Sequence, residues 1–324
     1  MAPVGIFGKL FRRRSAGSEP HDALRTLGGH EAEITAVGFV LGGTLLLSGD
    51  ARGKVMAWKV PSLDRHLEMD HNPPIPVYSF VGGARGDVYY GYGAAVKQWK
   101  TGAGFLDDFS ALQSFTFGEA HTKEVVALLP TARELISGGY DGRLCFWDPD
   151  TGEARSGSVK SPILSLALAG TRLAAGLEDG TVAIFDLERH EPLGGFGAHE
   201  RDVYAVSFQN GVPGPRTLLA TSSPSDRAVR LWKDEEMVVE FEASGFTAAF
   251  SPDGRYLAHG EGTDIVIRGA TDWNVVRRLR GHQAPISVLA FSASGGWLAS
   301  GAYDRTVRVW SLADETATPR SEAG

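Results

Sequence analysis

Apolar residues occur along this chain in short runs that are separated by turn-forming residues. Residues 288–291 (Val-Leu-Ala-Phe) and 165–168 (Ser-Leu-Ala-Leu) are two such runs, and Gly, Asp, Pro and Ser lie between them and their neighbours. This pattern is typical of β-strands joined by tight turns. Residues 251–254 (Ser-Pro-Asp-Gly) supply turn chemistry, because Gly reaches positive φ and Asp hydrogen-bonds the adjacent backbone. Helical periodicity is absent over any useful length, so the pattern predicts an all-β fold.

The pattern repeats about every 42 residues, and units of this length bury their apolar faces only by stacking on one another. Seven units can be counted from the residue that ends a strand in each: Trp58, Trp99, Trp147, Phe185, Trp232, Ile267 and Trp310. We therefore expect one closed body over residues 22–312, although the length of 324 residues alone suggests two domains. Residues 1–21, a basic and apolar head, and residues 313–324 are predicted to be disordered tails.

Three units carry a His, a Ser, an Asp and a Trp in the same order. The Ser–Trp spacing is ten residues and the Asp–Trp spacing is six in each of them. The sets are His121, Ser137, Asp141 and Trp147; His199, Ser222, Asp226 and Trp232; and His282, Ser300, Asp304 and Trp310.

This motif resembles the repeat of the WD40-repeat family. In that family a repeat begins near Gly-His, continues through a Ser or Thr and an Asp in a turn, and ends at Trp-Asp. The pair Trp147-Asp148 matches that ending fully, and Phe185-Asp186 is a conservative variant. The resemblance implies a seven-bladed β-propeller of four-stranded antiparallel blades. It also implies that the three sets are structural tetrads, hydrogen-bonded inside a blade from Asp to His to Ser to the Trp indole.

The ends of the repeat region suggest how the ring closes. The last unit ends at Trp310 without an outer strand, whereas residues 22–27 form a strand-like segment with no blade of their own. We predict that this N-terminal strand completes the last blade, since pairing the two removes an exposed edge.

The other units depart from the tetrad pattern. Unit one has Arg52 where Asp is expected, unit two has Tyr89 and Gly93 at the Ser and Asp positions, and unit six, ending at Ile267, has no tetrad. Losing a tetrad is expected to reduce local rigidity without changing the fold.

Composition narrows the class of protein further. The formal net charge is −7, and an acidic body disfavours nucleic-acid binding, which needs a basic surface. The single cysteine, Cys145, lies in an apolar run and fits a reducing compartment. With neither a secretory signal nor a membrane-length apolar run, we expect a cytoplasmic protein that is monomeric by itself. No metal or cofactor is expected, because the repeat-position histidines belong to the tetrads and no Cys/His cluster or phosphate-binding loop occurs.

Turns at the ends of the strands are the candidate binding surface, because the strands themselves are used in packing. Tyr140 and Tyr303 each precede a tetrad Asp, at positions that the family often uses for ligand contact. On this top face we place the candidate partner-binding residues Glu31, Glu33, Arg52, Tyr140, Arg201, Asp202, Tyr204 and Tyr303. The mixture of aromatic and charged side chains favours a protein or peptide partner.

The sequence thus predicts a non-catalytic scaffold or adaptor without catalytic residues. A Ser, a His and an Asp could indicate nucleophilic catalysis, but the set recurs three times and no oxyanion donors are evident. The alternative is a propeller enzyme, a hydrolase or lyase, with a site in the central channel. A second alternative is a membrane-surface adaptor that uses the basic head, with Lys9 and residues 12–14 (Arg-Arg-Arg).

Overall fold

The computed structural model describes residues 25–83, 85–100, 114–211, 217–243 and 246–312, and the two predicted tails lie outside them. Within these residues the chain forms 28 strands and one short 3-10 turn, Leu41–Gly43. The strands form seven four-stranded antiparallel sheets arranged as the blades of a ring. The predictions of an all-β fold and of seven blades are therefore confirmed.

Each of the first six blades consists of four consecutive strands, ordered from the innermost to the outermost. Blades one to three are β2 (Ile34–Val40), β3 (Leu45–Asp50), β4 (Val55–Lys59), β5 (Arg65–Met69); β6 (Phe80–Gly82), β7 (Val88–Tyr92), β8 (Ala95–Trp99), β9 (Ser114–Glu119); and β10 (Val125–Pro130), β11 (Leu135–Gly139), β12 (Arg143–Trp147), β13 (Ala154–Ser158). Blades four to six are β14 (Ile163–Ala169), β15 (Arg172–Leu177), β16 (Thr181–Asp186), β17 (Glu191–Gly197); β18 (Ala205–Phe208), β19 (Leu219–Ser223), β20 (Ala228–Lys233), β21 (Glu236–Glu242); and β22 (Ala248–Phe250), β23 (Tyr256–Glu261), β24 (Asp264–Gly269), β25 (Val275–Leu279).

Blade seven contains strands from both ends of the described chain: β26 (Ile286–Phe291), β27 (Trp297–Ala302), β28 (Val307–Ser311) and β1 (Arg25–Leu27). Strand β1 pairs antiparallel with β28, so that Leu27 lies opposite Val307. Leu27 is only 4% exposed and packs in the cluster between blades seven and one. The predicted closure by an N-terminal strand is therefore confirmed.

The hydrophobic core lies between neighbouring blades rather than inside one of them. In one cluster, Leu45 and Leu47 of blade one pack with Phe80, Tyr90 and Trp99 of blade two. Each blade alone would leave such a face in water, because a four-stranded sheet has two faces and little of its own to cover them. The seven units are therefore mutually dependent, as the repeat length indicates.

Candidate functional site

The tetrads of blades three and seven are hydrogen-bonded networks inside the sheets. In blade three, His121 Nδ1 lies 3.0 Å from Asp141 Oδ1, and His121 Nε2 lies 2.7 Å from Ser137 Oγ. The Trp147 indole donates to the same Ser137 Oγ at 2.7 Å. The corresponding distances in blade seven are 2.9, 2.8 and 2.9 Å, with His282, Ser300, Asp304 and Trp310.

In blade five the structure corrects the predicted tetrad. Ser222 is not a member, because the hydroxyl that lies 2.8 Å from His199 Nε2 and accepts from Trp232 Nε1 at 2.8 Å is that of Thr221. Thr221 lies opposite Arg230, two residues before Trp232, which is the register of Ser137 and Ser300 in their blades. The hairpin between β19 and β20 is one residue longer than the corresponding hairpins of blades three and seven. Counting ten residues back from the tryptophan therefore reaches Ser222 instead of Thr221. The Ser222 hydroxyl is buried and has no hydrogen-bond partner in the described part of the chain.

Blade one has a carboxylate that the sequence analysis missed. We expected Arg52 at the Asp position, but Asp50, two residues after Ser48, accepts the hydrogen bond from His30 Nδ1 at 3.0 Å. His30 Nε2 lies 2.5 Å from Ser48 Oγ. The backbone N–H of Arg52 donates to Asp50 Oδ1 at 2.9 Å, so the turn folds around this buried carboxylate.

Blade two uses a phenol where other blades use a smaller hydroxyl. The strand register places Tyr90, not Tyr89 as expected, at the Ser position relative to Trp99. His71 Nε2 lies 3.1 Å from the Tyr90 hydroxyl, and His71 Nδ1 donates to the Gly53 carbonyl at 2.8 Å. The histidine therefore keeps its place without an Asp.

Blade six contains a different pair at the equivalent positions. Arg268, rather than Ile267 as counted from the sequence, lies at the Trp position, because it is opposite Leu257 in the register. Its Nε donates to Nε2 of the fully buried His259 at 3.1 Å, and its Cζ lies 4.1 Å from the ring centroid of Phe241. Burial, with the neighbouring Arg268 charge, lowers the pKa of His259 to about 4. This imidazole is neutral at physiological pH.

The protonation of the tetrads follows from their environment. Burial raises the pKa of Asp141, but the hydrogen bond from His121 and the backbone N–H donors outweigh it, and the net pKa is lowered. The ionised carboxylate can only accept, so the proton of the imidazole lies on Nδ1 and the serine hydroxyl donates to Nε2. The serine oxygen also accepts from tryptophan. Each hydroxyl is therefore buried and both donates and accepts a hydrogen bond inside its own blade.

Other reactive or ligating groups give no site in the described ranges. Burial raises the pKa of the Cys145 thiol to about 12, which keeps it protonated. Across the five described ranges between residues 25 and 312, no group of three or more His, Cys, Asp or Glu is arranged to hold a metal ion. The same residues include no helix with the length and apolarity needed to cross a bilayer.

Aromatic side chains collect at one end of the ring, where the innermost strands begin; we call this end the upper face. Four innermost strands carry a β-bulge at their start, at Thr35, Val126, Leu164 and Ser287. By strand register, the residues at this position in blades two, five and six are Tyr78, Tyr204 and Phe246. A bulge redirects the side chain it carries, here at the mouth of the central channel.

Two tyrosines reach the same rim from the hairpins. The Tyr140 N–H donates to the carbonyl of Glu124 at 3.0 Å, and the Tyr303 N–H donates to that of Pro285 at 3.1 Å. Glu124 and Pro285 directly precede the innermost strands β10 and β26. The hairpin tyrosines are thus held beside the start of the strands that surround the channel.

These five residues form an aromatic collar: Tyr78, Tyr140, Tyr204, Phe246 and Tyr303. The ring centroids of Tyr78 and Tyr140 are 6.0 Å apart, those of Tyr204 and Phe246 are 5.3 Å apart, and those of Phe246 and Tyr303 are 5.5 Å apart. Tyr204 and Tyr303 are 39% and 43% exposed, which is high for large aromatic side chains. The sequence analysis named Tyr140, Tyr204 and Tyr303 but missed Tyr78 and Phe246.

Carboxylates lie next to the collar. Burial raises the pKa of Tyr204, and the Asp202 and Glu178 charges raise it further. Burial and Glu124 act in the same direction on the pKa of Tyr78 and Tyr140. The phenols are therefore neutral at physiological pH and lie in a negative field.

The remaining predicted residues also lie on the upper face. Glu31 is exposed, with Oε1 3.6 Å from Lys54 Nζ, and Glu33 is exposed directly before β2. Arg52 and Arg201 are exposed in the β3–β4 turn and before β18. The Asp202 carboxylate accepts from Ser225 Oγ at 2.6 Å, so it also orders a neighbouring turn.

Comparison with known proteins agrees with the geometry. The family model described as "WD domain, G-beta repeat" matches residues 22–59, 111–148 and 273–311. The chain is 25% identical over 311 residues to "Pre-mRNA-processing factor 19 homolog 2" of Arabidopsis thaliana, covering 91% of this chain and 49% of that protein. It is 26% identical over 301 residues to a ribosome biogenesis protein of Scheffersomyces stipitis, covering 86% of this chain and 62% of that protein. It is 30% identical over 149 residues to a component of chromatin assembly factor 1 of Gallus gallus, covering 35% of this chain and 26% of that protein.

These relatives correct the expected location. Pre-mRNA processing, ribosome biogenesis and chromatin assembly take place in the nucleus and nucleolus, so the expectation of a cytoplasmic protein is contradicted. The error has a simple cause: one free thiol and the lack of a secretory signal separate reducing from oxidising compartments, but they do not separate cytosol from nucleus. The chain spans less than two thirds of the length of each of these relatives.

Three observations agree on the kind of repeat and on the fold. Three repeats match the family model, the tetrad networks have their expected partners in blades three and seven, and the sheets form a seven-bladed ring. The chain contains WD40 repeats at three positions that match the family model, and it folds as a seven-bladed β-propeller.

Proposed function

We propose that this propeller is a non-catalytic scaffold that binds a protein or peptide partner through its upper face. The aromatic collar is the observation that carries this proposal. Aromatic side chains that are held in place yet partly exposed are enriched at the centres of protein interfaces, because they lose little conformational freedom when a partner covers them. Tyr204 and Tyr303 combine this exposure with ring contacts that fix their positions.

The chemistry of the tetrads supports a role without catalysis. Their histidines and hydroxyls are the candidates for general-base and nucleophilic work in this chain. They are buried, and each is committed to partners in its own blade. A nucleophile needs a free path to substrate and nearby oxyanion donors. One relative is named as a subunit of chromatin assembly factor 1, which fits a scaffold.

The test is capture of partners from the native cell, with quantitative mass spectrometry on three forms of the protein. The collar variant is Tyr140→Ala with Tyr303→Ala. The matched control removes two exposed apolar side chains from outer strands, Leu193→Ala with Met237→Ala, which are 55% and 51% exposed in the wild type. We expect the collar variant to lose partners that the control and wild type retain, with a melting temperature close to that of wild type. An identical set of partners in all three forms would refute the proposal.

A further inference from the structure

We propose that the aromatic collar binds a lysine or arginine side chain of the partner protein. This inference rests on the proposed function, because it names the chemistry of the partner at the same site. Three features of the upper face carry it: the π-faces of the collar, the unpaired carboxylates beside it, and the positions of the cations.

The collar offers several ring faces to one small group. Its residues come from blades two, three, five, six and seven, and ring contacts join them in two groups: Tyr78 with Tyr140, and Tyr204 and Tyr303 with Phe246. A cation within about 6 Å of a ring centroid is attracted by the ring quadrupole, and several rings around one cation add to the attraction. The tyrosine hydroxyls can also accept hydrogen bonds from ammonium or guanidinium groups.

Three carboxylates at the rim lack a cationic partner. Glu33 and Glu124 directly precede innermost strands, and Glu178 lies in the β15–β16 hairpin with its N–H bonded to the carbonyl of Pro162, beside the start of β14. Within the described ranges, no lysine or arginine nitrogen lies within 4.0 Å of these three carboxylates. Their charges are available to a ligand.

Other carboxylates on the same face are paired. Lys54 Nζ lies 2.9 Å from Glu68 and 3.6 Å from Glu31, and Arg278 lies 3.2 Å from Glu261. Glu33, Glu124 and Glu178 differ from these paired carboxylates in a second respect. Each lies close enough to a tyrosine of the collar for its charge to raise the pKa of that tyrosine.

The exposed lysine and arginine side chains of the upper face lie in turns, next in the chain to residues at the edge of the collar. Lys123 and Arg201 precede Glu124 and Asp202 in the chain, and Arg305 follows the tetrad Asp of its hairpin. Arg305 Nη1 points to the Glu31 carbonyl at 3.5 Å. The arrangement favours a partner that places a cation in the collar and can place acidic groups around it.

The test begins with selection of random 12-residue peptides displayed on phage against the immobilised wild-type propeller. The affinity of the best peptide is then measured by fluorescence anisotropy at low salt for wild type and variants. Glu33→Gln, Glu124→Gln and Glu178→Gln together remove the rim charges. The matched control makes the same charge change at exposed sites elsewhere: Glu153→Gln, Glu188→Gln and Glu236→Gln.

We expect selected peptides to carry lysine or arginine and to bind the rim variant roughly tenfold more weakly than wild type, since each exposed ion pair contributes a factor of about two to three. The control should change affinity less than about twofold, and replacing the peptide cation by a neutral isostere should reproduce the loss. Added salt should weaken binding to wild type more than to the rim variant.

The outcomes separate the two levels of the proposal. One outcome would overturn the cation inference and leave the binding face intact. In it, the selected peptides are neutral or acidic, or bind the rim variant as tightly as wild type, yet they no longer bind the variant with Tyr140→Ala and Tyr303→Ala. Selected peptides that bind the tyrosine variant as well as wild type would overturn both.

Discussion

Replacing Thr221 with valine separates the tetrad observed in blade five from the one that spacing suggests. Valine keeps the shape of threonine but removes the hydroxyl, which lies 2.8 Å from both His199 Nε2 and Trp232 Nε1. Both nitrogens would then be buried without a partner. Each unsatisfied buried group costs about 1–3 kcal/mol, so we expect Thr221→Val to lower the free energy of unfolding by about 2–4 kcal/mol.

Ser222→Ala is the matched control one residue away. The Ser222 hydroxyl is equally buried but has no hydrogen-bond partner among the described residues, so its removal should change the free energy of unfolding by less than about 1 kcal/mol. Thr221→Ser, which keeps the hydroxyl, should recover most of the loss seen with valine.

The assay is urea unfolding at neutral pH, followed by tryptophan fluorescence and far-ultraviolet circular dichroism. For a protein of this size, the expected loss in Thr221→Val corresponds to a fall in melting temperature of roughly 5–10 °C. If Ser222→Ala destabilises the protein as much as Thr221→Val does, the blade-five network is not the one described above.

Two further perturbations test other parts of the fold. The pKa of His259 is about 4 in the folded protein against an ordinary value of 6.5, so the stability that depends on its neutral form is complete above pH 6.5 and is lost as the pH falls toward 4. Urea midpoints measured between pH 7.5 and 5 should fall by an amount equivalent to roughly 2 kcal/mol, and should fall less in His259→Ser; equal slopes would contradict this. Burial also lowers the pKa of His199 and His282. These two histidines therefore add a pH dependence of the same sign to the stability of both the wild type and His259→Ser. Leu27→Ala should cost about 2–4 kcal/mol because it empties the cluster under the closing strand, whereas exposed Thr26→Ala should cost less than about 0.5 kcal/mol; similar losses in chemical denaturation would show that the closure contributes little.

The sequence predicted the architecture because repeats constrain it many times over. Seven strand-ending residues, the tetrad spacings and the unmatched strand before His30 all required the same ring, so a local error could not change the result. Closure by Arg25–Leu27 was predictable for the same reason, since an orphan strand and an incomplete blade had one solution.

The predictions of individual tetrad residues that were wrong depend on strand register. Spacing along the chain does not determine that register. Ser222 has the correct separation from Trp232, but the longer hairpin in blade five shifts the pairing by one residue, and a shift of one turns a side chain to the other face. Asp50 escaped notice because it precedes the turn position at which an aspartate was expected. In both cases hydrogen bonding inside the blade selects the residue.

The collar was only half predictable. Tyr140 and Tyr303 stood out because each precedes a tetrad Asp, a position fixed by motif. Tyr78 did not, because it follows its histidine by seven residues, two more than separate the corresponding positions from the histidines of blades three and seven. Phe246 belongs to the blade without a recognisable motif, where register alone gives its position.

Pairing of Arg25–Leu27 with Val307–Val309 has a consequence for biosynthesis. During translation the first strand stays unpaired until nearly the whole propeller has been synthesised, because its partner lies about 280 residues downstream. Contacts between residues so distant in sequence also form slowly. The nascent molecule therefore passes through an open arc whose two free ends invite pairing with other chains. We therefore expect substitutions at this seam to reduce the yield in cells more than they reduce the stability of the finished protein.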